Sequence, residues 1–197
     1  MSKFTMACKT GDLENVIQIS MSRPISQFEY FNCFIDCCEI GHLHIAQWLH
    51  SKRIDVHAFG DMAFRLSCEN GHLEIAQWLY CFGSVDIHIF WDHAFRSSCT
   101  NGHLNVSKWL YGLDGVDIRI INDHVFGSCC VDDRLEIAQW LYGLKGIDIR
   151  ADMDRAFKMA CQRGHLNTVL WLCGLCDRYM IDVDSRTGRI DYLIRSN

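Results

Sequence analysis

The chain has 197 residues, 49% hydrophobic and 22% charged, with a net charge of only -5. That balance belongs to a folded chain, and it excludes a largely disordered protein and disfavours a general polyanion binder such as a nucleic-acid-coating protein. Twelve cysteines would suit a secreted disulfide scaffold, but Met1 to Gly11 lack the apolar core of a secretory signal, so reduced thiols and a cytoplasmic location are expected. No apolar run reaches the roughly 18 residues of a membrane span.

One register recurs at steps of 30 or 31 residues, opening at Gly11, Gly41, Gly71, Gly102, Asp133 and Gly164. Such a period is the mark of a linear repeat array, in which each unit is too small to bury its own apolar side and must stack on its neighbours. The repeats fall near 1–26, 27–56, 57–87, 88–118, 119–149 and 150–183, with 184–197 expected as a C-terminal cap.

The first repeat keeps Leu13, Val16 and Ile19 of an apolar helix stripe, and the only proline, Pro24, separates it from the second. The third repeat is the clearest. Phe64 and Cys68, four residues apart, share one face of a first helix, while Leu73, Ile75, Ala76, Trp78 and Leu79 form the broad apolar stripe of a second helix with Glu74 and Gln77 toward water. Asn70-Gly71 makes the turn between them, because glycine accepts positive φ without steric cost. Asp61, Asp92, Asp123 and Asp154 stand where first-helix N-caps are expected. In the fifth repeat Asp133 replaces the turn glycine, and a left-handed backbone is expected there too. At the end, Arg186 to Arg195 is read as a short amphipathic helix with Ile190, Leu193 and Ile194 inward.

Cys8, Cys38, Cys68, Cys99, Cys130 and Cys161 occupy one equivalent position and read as small core residues. Cys38/His42, Cys68/His72 and Cys161/His165 invite a zinc reading, but stacked helices lie about 8 to 10 Å apart. Four ligands must each come within about 2.0 to 2.3 Å of one ion, so no metal and no cofactor is expected. Cys173-Gly174-Leu175-Cys176 ends a helix instead of opening one, which leaves its first thiol without the stabilisation that a redox motif needs. Trp48, Trp78, Trp109, Trp140 and Trp171 lie in the apolar stripe and read as packing residues, one repeat step being far longer than the spacing of stacked bases. No phosphate loop, nucleophile elbow or paired-acid motif is present, so the chain is not expected to be an enzyme.

The Gly-His-Leu openings at 41, 71, 102 and 164, and the closing Asp-Val or Asp-Ile at 55, 86, 117, 148 and 182, resemble the ankyrin repeat. The wording Ala-Phe-x-x-x-Cys with Ile-Ala-Gln-Trp-Leu is similar to divergent ankyrin arrays of giant DNA viruses of amoebae. The resemblance implies an all-α solenoid of about six stacked helix-turn-helix repeats that binds a protein through its concave face, formed by the first helices and the loops before them. Two departures stand out. The family's Thr-Pro-Leu-His is replaced by sequences such as Met62-Ala63-Phe64-Arg65, and the period falls short of about 33 residues, which implies stunted fingers between repeats. On that face the loops and first helices place His57, Phe59, Arg65, His88, Phe90, Trp91, Arg96, Arg119, Ile121, Arg150 and Lys158. A cationic column with aromatic anchors suits an acidic, partly apolar peptide. The expected function is a monomeric, non-catalytic interaction module or adapter. The alternatives are a substrate adapter of a ubiquitin ligase and a thiol- or zinc-dependent enzyme.

Overall fold

The structure, a computed structural model, describes residues 1–113, 118–144 and 146–195, and of residues 118–123 the backbone only. The helices alternate as the period requires. First helices are α1 (Lys3–Thr10), α3 (Gln27–Ile40), α5 (Ala58–Glu69), α7 (Ile89–Thr100), α9 (Ile118–Val131) and α11 (Ala151–Arg163). Second helices are α2 (Leu13–Ser22), α4 (Leu43–His50), α6 (Leu73–Tyr80), α8 (Leu104–Gly112), α10 (Leu135–Gly143) and α12 (Leu166–Leu175). This is an all-α, ankyrin-type helical repeat fold. Packing divides it into an N-terminal body, Met1–Ser98 with Asn105–Val116, and a C-terminal body, Cys99–Leu104 with Asp117–Asn197.

The periodic residues make the core. Phe4, Phe34, Phe64, Phe95, Phe126 and Phe157 are all fully buried, one per repeat, and the six periodic cysteines are buried beside them. Burying each ring contributes about 1.5 to 3 kcal/mol. In the third repeat Ile75, Ala76 and Leu79 are buried while Glu74 and Gln77 are exposed. The five periodic tryptophans, Trp48, Trp78, Trp109, Trp140 and Trp171, are half-buried. In the N-terminal body Trp109 meets Phe64 at 6.1 Å and Tyr80 edge-on at 5.7 Å. In the C-terminal body Trp171 does the same with Phe126 and Tyr142. Trp109 and Trp171, like Trp78 beside Phe34, therefore cover the buried phenylalanine of the repeat before them.

Buried donors also cross between repeats. The Cys37 thiol donates to the Cys8 carbonyl and the Ser67 hydroxyl to the Cys38 carbonyl, while in the C-terminal body the Cys129 thiol donates to the Cys99 carbonyl. The two thiol contacts help to hold the register of stacking, because a slip would leave those donors unpaired in the core, while the Ser67 hydroxyl also has the Ala63 carbonyl of its own helix at 2.7 Å.

The turn glycines do two things. Their φ values are positive, 78° at Gly11 and 102° at Gly41. They also admit the next repeat: a Cβ on Gly41 would stand 2.6 Å from the His72 ring, whose Nε2 donates to the Glu39 carbonyl at 2.9 Å. His42 does the same to Lys9, and His165 to Val131. In the fifth repeat Arg134 takes the histidine's place and donates from Nε to the Thr100 carbonyl. The histidine of Gly-His-Leu is thus an inter-repeat strap.

Asp133 has φ 56°, as its position in the turn requires. Its Oδ1 also accepts a hydrogen bond from the Thr168 hydroxyl at 2.7 Å, and Thr168 is buried. A glycine would relieve left-handed strain of about 1 kcal/mol but leave a buried hydroxyl unpaired, at about 1 to 3 kcal/mol. Asp133→Gly is therefore expected to destabilise by about 1 kcal/mol, and the same change in a Thr168→Val background to stabilise by about 0.5 to 1 kcal/mol. Urea melts of the four proteins check the reversal of sign.

The ends differ from the middle. The first repeat carries a groove in which the polar Lys3, Thr10, Asn15, Gln18 and Ser22 surround the apolar Met6, Ala7 and Ile19. At the other end the structure corrects the sequence reading. The segment expected as an amphipathic helix is instead strand β2 (Ile190–Ile194), paired antiparallel with β1 (Tyr179–Val183). Tyr179 stacks on Phe157 at 4.0 Å, with interplanar angle 5°, and its hydroxyl donates to Asp154 Oδ1 at 2.7 Å. The hairpin covers the last buried phenylalanine, where an inner repeat would receive a tryptophan.

Nine cysteines are buried, Cys173 and Cys176 are half-buried, and Cys81 is exposed. Burial pushes the Cys130 and Cys161 thiols up to about 12 and raises those of Cys38 and Cys68 as well. Native protein is expected to react fast with a thiol reagent at Cys81 and to yield the nine buried thiols only on unfolding. A thiol that ionises only in the unfolded chain contributes stability below its ordinary value and loses it as pH rises toward the folded value. Thermal melts should accordingly fall on the alkaline side, while disulfides found by mass spectrometry without reductant would contradict the buried-thiol core.

Candidate interaction surface

The loop before each first helix is built in two steps. An aspartate first folds the chain back: Asp55, Asp86 and Asp148 accept from the backbone N–H of His57, His88 and Arg150 through Oδ1 at 2.9 to 3.0 Å. Three left-handed residues follow. They are Phe59, Gly60 and Asp61, then Phe90, Trp91 and Asp92, then Asp152, Met153 and Asp154, with φ between 51° and 66°. The turn closes by Asp61 N–H to the His57 carbonyl, with Asp92 to His88 and Asp154 to Arg150 alike.

Left-handed backbone costs about 1 to 2 kcal/mol per residue other than glycine, so something must hold it. Asp61 is buried, and its Oδ1 accepts from His57 Nδ1 at 2.7 Å while its Oδ2 accepts from the Asp86 N–H of the next repeat. Asp92 accepts from His88 Nδ1 at 2.5 Å. Asp154 has the Tyr179 hydroxyl instead. These carboxylates do not cap the helices from an N-cap position, as the sequence had suggested. They end the left-handed turn and tie it to its own histidine, at Asp61 and Asp92, or to the following element, at Asp61 and Asp154. Asp123 lies outside the described side chains.

The arginines of the first helices close the turn from the other side. Arg65 donates from Nε to the Gly60 carbonyl at 2.9 Å and from Nη2 to the Phe59 carbonyl at 3.2 Å, and Arg96 donates from Nη2 to the Phe90 carbonyl at 3.2 Å. This scaffolding role was missed by sequence reasoning. The spacing that carries it, Phe59 to Arg65 and Phe90 to Arg96, is the same in both repeats.

The outcome is a row of presented aromatics in the N-terminal body. Phe59 is 72% exposed, Phe90 55% and Trp91 83%. Phe31 packs on Phe59 at 5.6 Å, and the Arg65 guanidinium lies 4.7 Å from the centre of the Phe90 ring. Phe31, Asn32, Ile35, Asp36, Phe59 and Met62 line a groove of about 300 Å3. His57 and His88 flank the row, each bound to its aspartate. His93 is held below the ordinary histidine range by burial and by Arg65 and Arg96.

In the C-terminal body Arg150 lies 3.7 Å from Asp148 and Lys158 is half-buried. At the position of Arg65 and Arg96 the fifth first helix, α9, has Gly127, and the missing side chain opens a groove of about 440 Å3 floored by Val131, Ile149, Ala151 and Ala156. Arg119 and Ile121 lie outside the described side chains. Among the described residues, no three His, Cys, Asp or Glu side chains stand close enough to hold a metal ion, and no helix is long and apolar enough to cross a membrane.

With this geometry in place, the likeness to known proteins is concrete. Residues 34–80, which run from α3 to the end of α6, match the family model of ankyrin repeats in many copies. The matched segment is similar to ankyrin repeats, and the remaining helices continue the same two-helix pattern. Ankyrin repeats generally serve as protein-interaction modules. None of the curated proteins compared matches the chain.

The left-handed turn has a direct test. Met153 sits in it with φ 55° and 80% of its surface exposed, so glycine there removes strain and little packing. Met153→Gly is expected to stabilise the protein by about 0.5 to 1 kcal/mol, read in urea melts, whereas a loss would show that the turn is not left-handed.

Proposed function

We propose that the chain is a non-catalytic protein-interaction module, acting as a monomer, and that it takes an acidic, partly apolar segment of a partner protein on the loops and first helices. The observation that carries the reading is Trp91. It is the most exposed aromatic ring, it lies outside the periodic core, and it is held on a strained turn that fixes its direction. A large ring presented at low entropic cost is the kind of residue that dominates binding energy. Beside it stand Phe59 and Phe90, and the guanidinium groups of Arg65 and Arg96 give the face a positive field. His57 and His88 border it, and Arg119, Ile121, Arg150 and Lys158 would continue the recognition in the later repeats.

The reading is tested by selecting binders from a displayed random-peptide library on the intact protein. Acidic peptides with one or two large apolar residues are expected to be enriched, and their binding to weaken as salt rises. Trp91→Ala is expected to weaken capture by about 2 kcal/mol, near thirtyfold, with the melting temperature unchanged. Charge reversal at Arg65 would also disturb the turn, so Trp91 is the cleaner probe. Selected peptides without acidic bias, or capture untouched by Trp91→Ala, would overturn the proposal.

A further inference from the structure

The C-terminal hairpin leaves a strand edge open. Tyr179 lies opposite Ile194 and Val183 opposite Ile190. The Asp184 N–H donates to the Arg189 carbonyl, and the Arg195 N–H to the Arg178 carbonyl. Bonded pairs alternate in an antiparallel ladder, so Asp191 and Leu193 are the β2 residues that bond to β1. The N–H and C=O groups of Ile190, Tyr192 and Ile194 point away from it, and none has a hydrogen-bond partner among the described residues. A groove of about 580 Å3 is walled by Ile190, Asp191 and Tyr192 and by Cys161, Gln162 and Arg163.

We infer that β2 is a strand-addition site for an extended segment of a partner protein, apolar in the middle and bracketed by carboxylates. The side chains along the strand set that chemistry. On one face Ile190 is buried, Tyr192 meets Phe157 edge-on at 5.6 Å and Ile194 is half-buried, so an added strand places apolar residues beside them. On the other face Arg189, Asp191, Leu193 and Arg195 follow one another, with Leu193 61% exposed. Carboxylates suit the positions opposite Arg189 and Arg195. A cation suits the position opposite Asp191, because Asp182 already faces Asp191 across the hairpin and only Arg189, at 3.0 Å, offsets the repulsion.

A second copy of the chain is the rival occupant, and charge disfavours it in two of the three central registers. Pairing two β2 strands about Tyr192 sets Arg189 against Arg195 and pairing about Asp191 sets Asp191 against its own equivalent, whereas pairing about Leu193 sets Asp191 against Arg195, the register that sedimentation tests. Like charges directly opposite are destabilising, a common way in which edges resist self-association.

The test uses the full chain and the labelled peptide Glu-Val-Leu-Val-Lys-Val-Glu, with binding read by fluorescence anisotropy. Saturable binding is expected. N-methylation of the three valines, whose N–H groups face β2, should weaken it at least tenfold, while N-methylation of the leucine and lysine should not. The charge-swapped peptide Lys-Val-Leu-Val-Glu-Val-Lys should also bind at least tenfold more weakly. Tyr192→Pro removes one outward N–H at an edge where proline is tolerated and should abolish binding. The methylated peptides give the answer even where that variant fails to fold. Trp91→Ala should leave this binding unchanged, which separates it from recognition at the first helices. Equal binding of both methylated peptides, absence of saturable binding, or a dimer in sedimentation that excludes the peptide would overturn the inference.

Discussion

A pair of helices within 30 or 31 residues has an apolar side that it cannot cover alone, and each arrangement in this chain answers that constraint. The first helix contributes a phenylalanine and a cysteine that are completely buried only when another element stands beside them. Inside the N-terminal body that element is the next repeat, whose tryptophan covers Phe64 and Tyr80. At the C-terminal end it is a hairpin, whose Tyr179 stacks flat on Phe157. The two solutions are chemically different and physically alike, because each supplies an aromatic ring and a hydrogen bond to the same places. The Asp86 N–H serves Asp61, and the Tyr179 hydroxyl serves Asp154.

Stacking also explains why the turn is glycine. Positive φ alone would allow asparagine or aspartate, as Asp133 demonstrates. At Gly41 space restricts it further, since the His72 ring lies where the Cβ would be, whereas Asp133 keeps a Cβ beside the His165 strap. Where aspartate takes the turn, in the fifth repeat, it gains the Thr168 hydroxyl as a partner. Local conformation and inter-repeat packing thus select one residue together.

Much of this was legible in the sequence. Helix periodicity, the turn register and the burial of the cysteines follow from spacing, and spacing is local. The left-handed turn was not legible, because its residues are mostly not glycine: Phe90, Trp91 and Met153 give no sign of positive φ. What sustains them lies four to six residues away, in the His57 to Asp61 and Arg65 to Phe59 bonds, and for Asp61 in the next repeat. The C-terminal strand was misread for another reason. Ile190, Leu193 and Ile194 fit a helix face as well as a strand, and the deciding signals were the β-branched and aromatic alternation of residues 179–183 and the Asp184 to Gly188 turn, where Asp184 accepts from Arg186, Thr187 and Gly188.

The shortened period and the exposed aromatics are two sides of one device. A loop with few residues between repeats has no length for a hairpin finger, and a left-handed turn of three residues reverses direction in the least chain. Its outward positions are then fixed by backbone strain and by hydrogen bonds to buried aspartate. Gly60, Trp91 and Met153 occupy the same turn position with different demands, since a Cβ on Gly60 would stand 2.6 Å from Ile89 while Trp91 and Met153 point into solvent. Stability rests on the buried Phe and Cys column and recognition on the turn, so the two properties are free to vary independently along the repeats.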